Sequence, residues 1–239
     1  MEQTILITGG DRGLGYGLCA GLLKMGWRVF AGQYLPGWPE LASLKKEYSE
    51  TLEIVPLDVR SMESIKAAAA FVEARAGSLD AVINNAGVQS ETIYAGIRAP
   101  QDYDEMHRLY DVNALGPLRV VEAFLPLLDV GRLKRLCFIS SEAGSIGAAT
   151  RTSWFGYCMS KAALNMGVKI LFNDLRPAGY TFRVYHPGWV RSYMHGEKAA
   201  QAHLEPEEAA AYALPILLND NADEDRLALV DYEGNEWPW

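Results

Sequence analysis

Seven short apolar runs, at 4–8, 28–32, 52–57, 81–83, 133–140, 181–185 and 227–230, alternate with longer stretches whose apolar residues recur at helical spacing. The helical stretches fall at 14–25, 39–49, 61–76, 102–129, 154–176 and 206–218. Runs that are apolar nearly throughout suit strands buried on both faces, because each crossover between parallel neighbours lays a helix over the sheet. The alternation therefore predicts an α/β fold, a doubly wound, mostly parallel seven-stranded sheet with helices on both faces. No repeat or low-complexity tract interrupts it, and the Pro/Gly-rich stretch 34–39 is too short for a linker, so residues 1–239 are expected to form a single domain.

In such a sheet ligands bind beyond the carboxyl ends of the strands. The first run is followed there by TGGDRGLG, Thr8 to Gly15, with glycines at 9, 13 and 15 opening a helix. Side chains at these glycines would hold a pyrophosphate away from the backbone, whereas the helix's unpaired N–H groups and dipole favour its charge. The same glycines also suit a tight strand-to-helix turn with no ligand. About twenty residues on, where an NAD-binding domain offers the ribose a carboxylate, the second run ends in the neutral Gly32-Gln33-Tyr34. With Arg12 in the turn as partner for a 2′-phosphate, this favours NADP over NAD. Gln33 bonded to ribose hydroxyls would serve either cofactor, and Arg12 is otherwise a solvated surface residue.

Lys and Arg total 22 against 30 Asp and Glu, a net charge of −8, so no positive field collects nucleic acid or anionic lipid. Cys19, Cys137 and Cys158 lack a CxxC pattern and fall in segments that read as buried, which points to reduced structural thiols. His107, His186, His195 and His203 lack metal-ligand spacing, and no metal is expected. With no charged leader and no apolar run near the ~18 residues needed to span a bilayer, the expected location is cytoplasmic.

Further motifs follow in order: LDV at 57–59, NNAG at 84–87, Asn113 in DVNALG, Ser141 in ISSEAG, YCMSK at 157–161 and HPGWVRS at 186–192. Together with TGGDRGLG they resemble the short-chain dehydrogenase/reductase family, in its single-domain branch. The resemblance implies a Rossmann-type fold, an NAD(P)-dependent oxidoreductase acting on a small ketone, aldehyde or secondary alcohol, and a homodimer or homotetramer built on the helices at 102–129 and 154–176. It assigns catalysis to Asn113, Ser141, Tyr157 and Lys161. Cofactor contacts are implied for Gly9, Asp11, Arg12, Gly13, Leu14, Gly15, Gln33, Asp58, Val59, Asn85, Ala86, Gly87, Tyr157, Lys161, Pro187, Gly188, Val190 and Ser192, with a substrate loop around 189–205. Ser192 stands where the family more often has threonine. The ending DYEGNEWPW resembles the tails of a subgroup that includes sniffer-type carbonyl reductases and the bacterial C-factor.

Several residues also have a plainer reading. Asp58 either accepts from an adenine amino group or caps the following helix, and Asn85 either borders a ribose or stabilises its own turn. Asn113 is either a helix-interior polar contact or the place where a kink frees a carbonyl for a water leading to Lys161. Ser140 competes with Ser141, the family pattern favouring the second serine and turning the first into the sheet. Tyr157 and Lys161, four apart on a helix, share a face. An ammonium beside a phenol is expected to lower the phenol's pKa from about 10. Val88, Gln89, Trp154, Phe155 and Trp189 are candidate pocket residues, core or interface packing being the alternative for the aromatics, and His195 either borders the substrate or is a solvated loop histidine. A different class of function also fits: a dinucleotide-binding regulatory or signalling protein of the same fold with little turnover.

Overall fold

In a computed structural model, described for residues 2–90, 94–194 and 198–239, the strands form one sheet. These are β1 (Thr4–Ile7), β2 (Arg28–Gln33), β3 (Leu52–Pro56), β4 (Ala81–Asn84), β5 (Arg135–Ile139), β6 (Thr181–His186), β7 (Leu229–Asp231) and β8 (Glu236–Trp237), in the order β3-β2-β1-β4-β5-β6-β7-β8. The first seven pair in parallel. The order reverses between β1 and β4, which makes their carboxyl ends the switch point of the sheet.

Alternate residues of each central strand enter opposite cores. Leu6, Val82, Leu136 and Phe138 pack on one side with α3 (Met62–Ala76), α5 (Gly116–Asp129) and α6 (Phe155–Leu175). Ile5, Ile7, Ala81, Ile83 and Ile139 pack on the other with α1 (Gly13–Lys24), α2 (Pro39–Glu47) and α7 (Pro206–Leu217). All but Ile139, at 7% exposure, have no solvent exposure. Each buried Leu, Ile, Val or Phe contributes roughly 1.5–3 kcal/mol of transfer free energy, which is why the strands read as apolar throughout.

The sheet has eight strands, one more than the seven-stranded expectation. The extra strand, β8, is two residues long and antiparallel to β7, pairing Leu229 with Trp237 and Val230 with Glu236. A tight turn makes it: Gly234 sits at φ +86°, and Asp231 Oδ1 accepts from the N–H groups of Glu233 at 3.0 Å and Asn235 at 2.8 Å. Two residues carry no period, so only the Asp-Gly-Asn composition marks the hairpin.

A second difference concerns the helix expected over 102–129. It consists of α4 (Tyr103–Tyr110), a π-helical turn (Asp111–Leu115) and α5. Pro117 explains the break, since it has no N–H to give the carbonyl of Asn113 four residues before it. Of the cysteines, Cys19 and Cys137 are buried and Cys158 is half-buried; all three are free thiols. Among the described residues no helix is long and apolar enough to cross a membrane.

Candidate active site

A cleft of about 910 Å³ lies beyond the carboxyl ends of the strands, lined by residues that follow β1 through β6. On one wall are Gly9, Asp11, Arg12, Gly13, Leu14 and Gly15, next to Asp58, Val59, Asn85, Ala86 and Gly87. Ser141, Tyr157, Lys161, Pro187, Gly188, Val190 and Ser192 line the same cleft, Ser192 lying against Gly13. Of the residues expected to contact cofactor or substrate, Gln33 and Asn113 do not line the cleft. β2 runs on through Gln33, paired with Pro56, so the chain turns into the cleft only at Tyr34 and Leu35.

The glycine turn is tied to β4 by Thr8 and Asn85. Thr8 Oγ1 accepts from the N–H groups of Asn85 and Ala86, both at 3.0 Å. Asn85 Nδ2 donates to the carbonyls of Thr8 at 2.9 Å and Gly9 at 3.0 Å. A Cβ on Gly15 would stand 2.0 Å from the Gly9 carbonyl oxygen. The glycine therefore makes room first for the chain's own turn, and the backbone of α1 comes to the cleft as a result. No side chain caps α1, so its first N–H groups are left for a ligand. An uncapped helix start, a glycine cradle and a long cleft at the switch point fit a dinucleotide.

Asp58 does not cap α3, because Ser61 does, its Oγ accepting from Ser64 N–H at 3.2 Å. Its carboxylate is gripped instead by Arg60, through Nε at 3.0 Å and Nη2 at 2.8 Å, which holds its pKa below the usual range. Arg60 Nη2 also donates to the Tyr34 hydroxyl at 2.9 Å. Asp58 thus faces the cleft as half of an ion pair.

At the other end, Lys161 Nζ donates to the carbonyl of Ile139 at 3.0 Å and lies 5.8 Å from the centroid of the Tyr157 ring, so the two side chains share a helix face. Ser141 Oγ accepts from Ala143 N–H at 3.1 Å. Ser140 Oγ donates to Asn165 Oδ1 on α6 at 2.6 Å, a buried structural bond that leaves Ser141 as the serine beside Tyr157. Asn113 lies beneath the cleft at 1% exposure. Its Oδ1 accepts from Val88 N–H at 2.8 Å, and its Nδ2 donates to the Val88 carbonyl at 2.9 Å and to Ser160 Oγ at 3.0 Å. It clamps the loop after β4 to α6 from within the π-helical turn.

One expectation is reversed. Burial pushes the Tyr157 phenol up to about 12, against an opposing hydrogen bond from Ser141, and lowers Lys161 to about 8. Desolvation disfavours phenolate and ammonium alike, and Lys161 turns its charge toward the Ile139 carbonyl. Burial also lowers His186, whose Nδ1 is buried without a partner.

The chain matches the short chain dehydrogenase family model over residues 3–203. It belongs to that family. C-signal of Myxococcus xanthus is 40% identical over 163 residues, covering 68% of this chain and 94% of that protein. Among solved structures, an NADPH-bound carbonyl reductase from chicken fatty liver is 32% identical with a TM-score of 0.87, covering 100% of this chain and 99% of that one. The carbonyl reductase Sniffer of D. melanogaster is 29% identical with a TM-score of 0.88 over the whole of both chains. As a short chain dehydrogenase the protein is an NAD(P)-dependent oxidoreductase.

Among the cleft residues that sequence reasoning missed are Glu142, Arg151 and Trp237. Glu142 and Arg151 form a bidentate pair, both contacts 2.7 Å, and the guanidinium lies 4.6 Å from the centroid of the Trp154 ring. Trp154, in left-handed backbone at φ +69°, meets Tyr157 edge to face at 6.3 Å. Trp237 of β8 lines the cleft, its Nε1 donating to Asp231 Oδ2 at 2.9 Å and its ring 5.9 Å from that of His186. The tail motif was the available signal for this wall. Val88, Gln89, Trp154 and Trp189 line the cleft as expected, Phe155 does not, and His195 lies outside the described residues.

Proposed function

We propose that this protein reduces a small ketone or aldehyde with NADPH, and oxidises the alcohol in reverse, using Tyr157 as the acid/base. The observation that carries this reading is the meeting of Ser141, Tyr157 and Lys161 in the cleft that the uncapped glycine turn also lines. When bound, the nicotinamide supplies or accepts the hydride and in its oxidised form adds positive charge beside the phenol. Tyr157 donates its proton to the substrate oxygen as charge develops there, and the Ser141 hydroxyl holds the same oxygen. Lys161 resupplies the proton, and Asn113 fixes the loop and helix that frame the pair. Gly9, Asp11, Gly13, Leu14 and Gly15 hold the pyrophosphate end, Val59, Asn85, Ala86 and Gly87 the adenosine and ribose, and Pro187, Gly188, Val190 and Ser192 the nicotinamide.

Support for NADP comes from Arg12, which lines the cleft and makes no ion pair among the described residues, and from the neutral Gln33 that ends β2 and the neutral Tyr34 after it. The NADPH-bound chicken carbonyl reductase points the same way. The test follows absorbance of the reduced nicotinamide across a panel of ketones, aldehydes and secondary alcohols. The expected result is turnover of at least one carbonyl compound with NADPH at higher kcat/KM than with NADH. Tight dinucleotide binding with no turnover across the panel would replace this reading by the regulatory one, to which the kinship with C-signal gives a foothold.

The family's helix-to-helix pairing supports a homodimer. On α6, Met159, Met166 and Ile170 are exposed on one face, and Leu118 of α5 lies beside Gly167. Light scattering on the purified protein is expected to give twice the chain mass, falling to one chain in Met166→Glu/Ile170→Glu. A monomeric wild type overturns the assignment.

A further inference from the structure

Arg12 sits at the N-cap of α1 in extended backbone, and its guanidinium carbon lies 5.0 Å from the centroid of the Trp38 ring and 5.8 Å from that of Tyr193. The two rings meet edge to face, with centroids 4.8 Å apart and planes at 69°. They come from segments far apart in the chain: Trp38 ends the loop after β2, and Tyr193, which lines the cleft, belongs to the segment after β6. That segment rests on the glycine turn, Ser192 Cβ standing 3.1 Å from where a Gly13 side chain would begin.

An arginine stem samples many rotamers, and a planar guanidinium stacks well on aromatic faces. Two rings therefore hold the guanidinium in one place while leaving its N–H edge free, since Arg12 makes no ion pair among the described residues. The nearest acid in the turn, Asp11, is itself engaged, its Oδ2 accepting from Leu35 N–H at 3.2 Å.

We propose that Trp38 and Tyr193 are positioning residues that fix Arg12 for a phosphate monoester on the adenosine ribose, and so set the preference for NADP over NAD. This rests on the cofactor reading above and adds to it two residues that lie outside the cofactor motifs. Neither ring needs to touch the phosphate. Their effect is to remove the freedom that Arg12 would otherwise lose on binding it.

Isothermal titration of the whole protein with two probes tests it: adenosine 2′,5′-bisphosphate and AMP, which differ only in the 2′-phosphate. In the wild type the bisphosphate is expected to bind more tightly, and Arg12→Ala to remove most of that preference. Trp38→Leu and Tyr193→Leu are each expected to lower the ratio of the two Kd values about tenfold with AMP binding unmoved, whereas Tyr193→Phe retains it. Combined with Arg12→Ala, either Leu variant lowers the ratio no further. If Arg12→Ala lowers the ratio and the Leu variants do not, or if they weaken AMP and the bisphosphate alike, the positioning role is wrong. A wild type with no preference for the bisphosphate overturns the NADP reading itself, and this proposal with it.

Discussion

Tyr157→Phe is expected to lower kcat/KM for carbonyl reduction by about 10²–10⁴, the usual worth of a positioned proton donor, while Kd for NADPH stays within about twofold. The phenylalanine ring keeps the edge-to-face contact with Trp154 and loses only the hydroxyl. Burial raises the phenol to about 12, so in the ligand-free enzyme it holds its proton throughout pH 6–10 and is ready to give it up in the reducing direction. In the oxidising direction the same group must be unprotonated, so the rate of alcohol oxidation is expected to climb with pH. Both consequences vanish in the phenylalanine variant. Steady-state kinetics and fluorescence titration of NADPH measure the two arms. A variant retaining more than a tenth of wild-type turnover moves the proton donor to another residue.

How much of this was legible in the sequence depends on how local each cause is. The strands were legible because burial on both faces leaves a run of apolar residues, as in Ile5-Leu6-Ile7, whose members enter two different cores. The shared face of Tyr157 and Lys161 follows from helical periodicity alone. The direction of the Tyr157 shift does not, because it depends on how much water the folded cleft removes and on the Ile139 carbonyl that takes the lysine's hydrogen bond, twenty-two residues away in the chain. Asp58 shows an intermediate case: its partner Arg60 is two residues on, yet nothing in LDVR distinguishes an ion pair from a solvated arginine. The π-helical turn at Asn113 had a signal in Pro117, which deprives that carbonyl of its α-helical donor. The β8 wall had only a turn composition, and Trp237 reaches the cleft through pairing that two residues cannot announce.

Lys161→Met is expected to separate stability from catalysis. The folded protein holds this ammonium at 4% exposure with one backbone carbonyl as its hydrogen-bond partner, and burial lowers its pKa to about 8 from an unfolded value near 10.5. Below pH 8 both states carry the proton, and the full cost of burying the charge, about 3 kcal/mol, weighs on the folded state. Between pH 8 and about 10.5 the unfolded chain binds more protons than the folded one, so stability rises with pH until the cost is gone. Urea unfolding at steps from pH 7 to 10.5 is therefore expected to show the wild type gaining on Lys161→Met by about 3 kcal/mol, since the other groups titrate alike in both and cancel. Parallel curves would mean that the lysine is solvated or paired in solution. The same substitution is expected to lower kcat for reduction by about 10²-fold and to abolish the limb near pH 8 in kcat/KM, because Tyr157 does not titrate there in the free enzyme. A limb that survives the substitution would belong to another group, and a charge held at this cost in stability would then be without a catalytic reason.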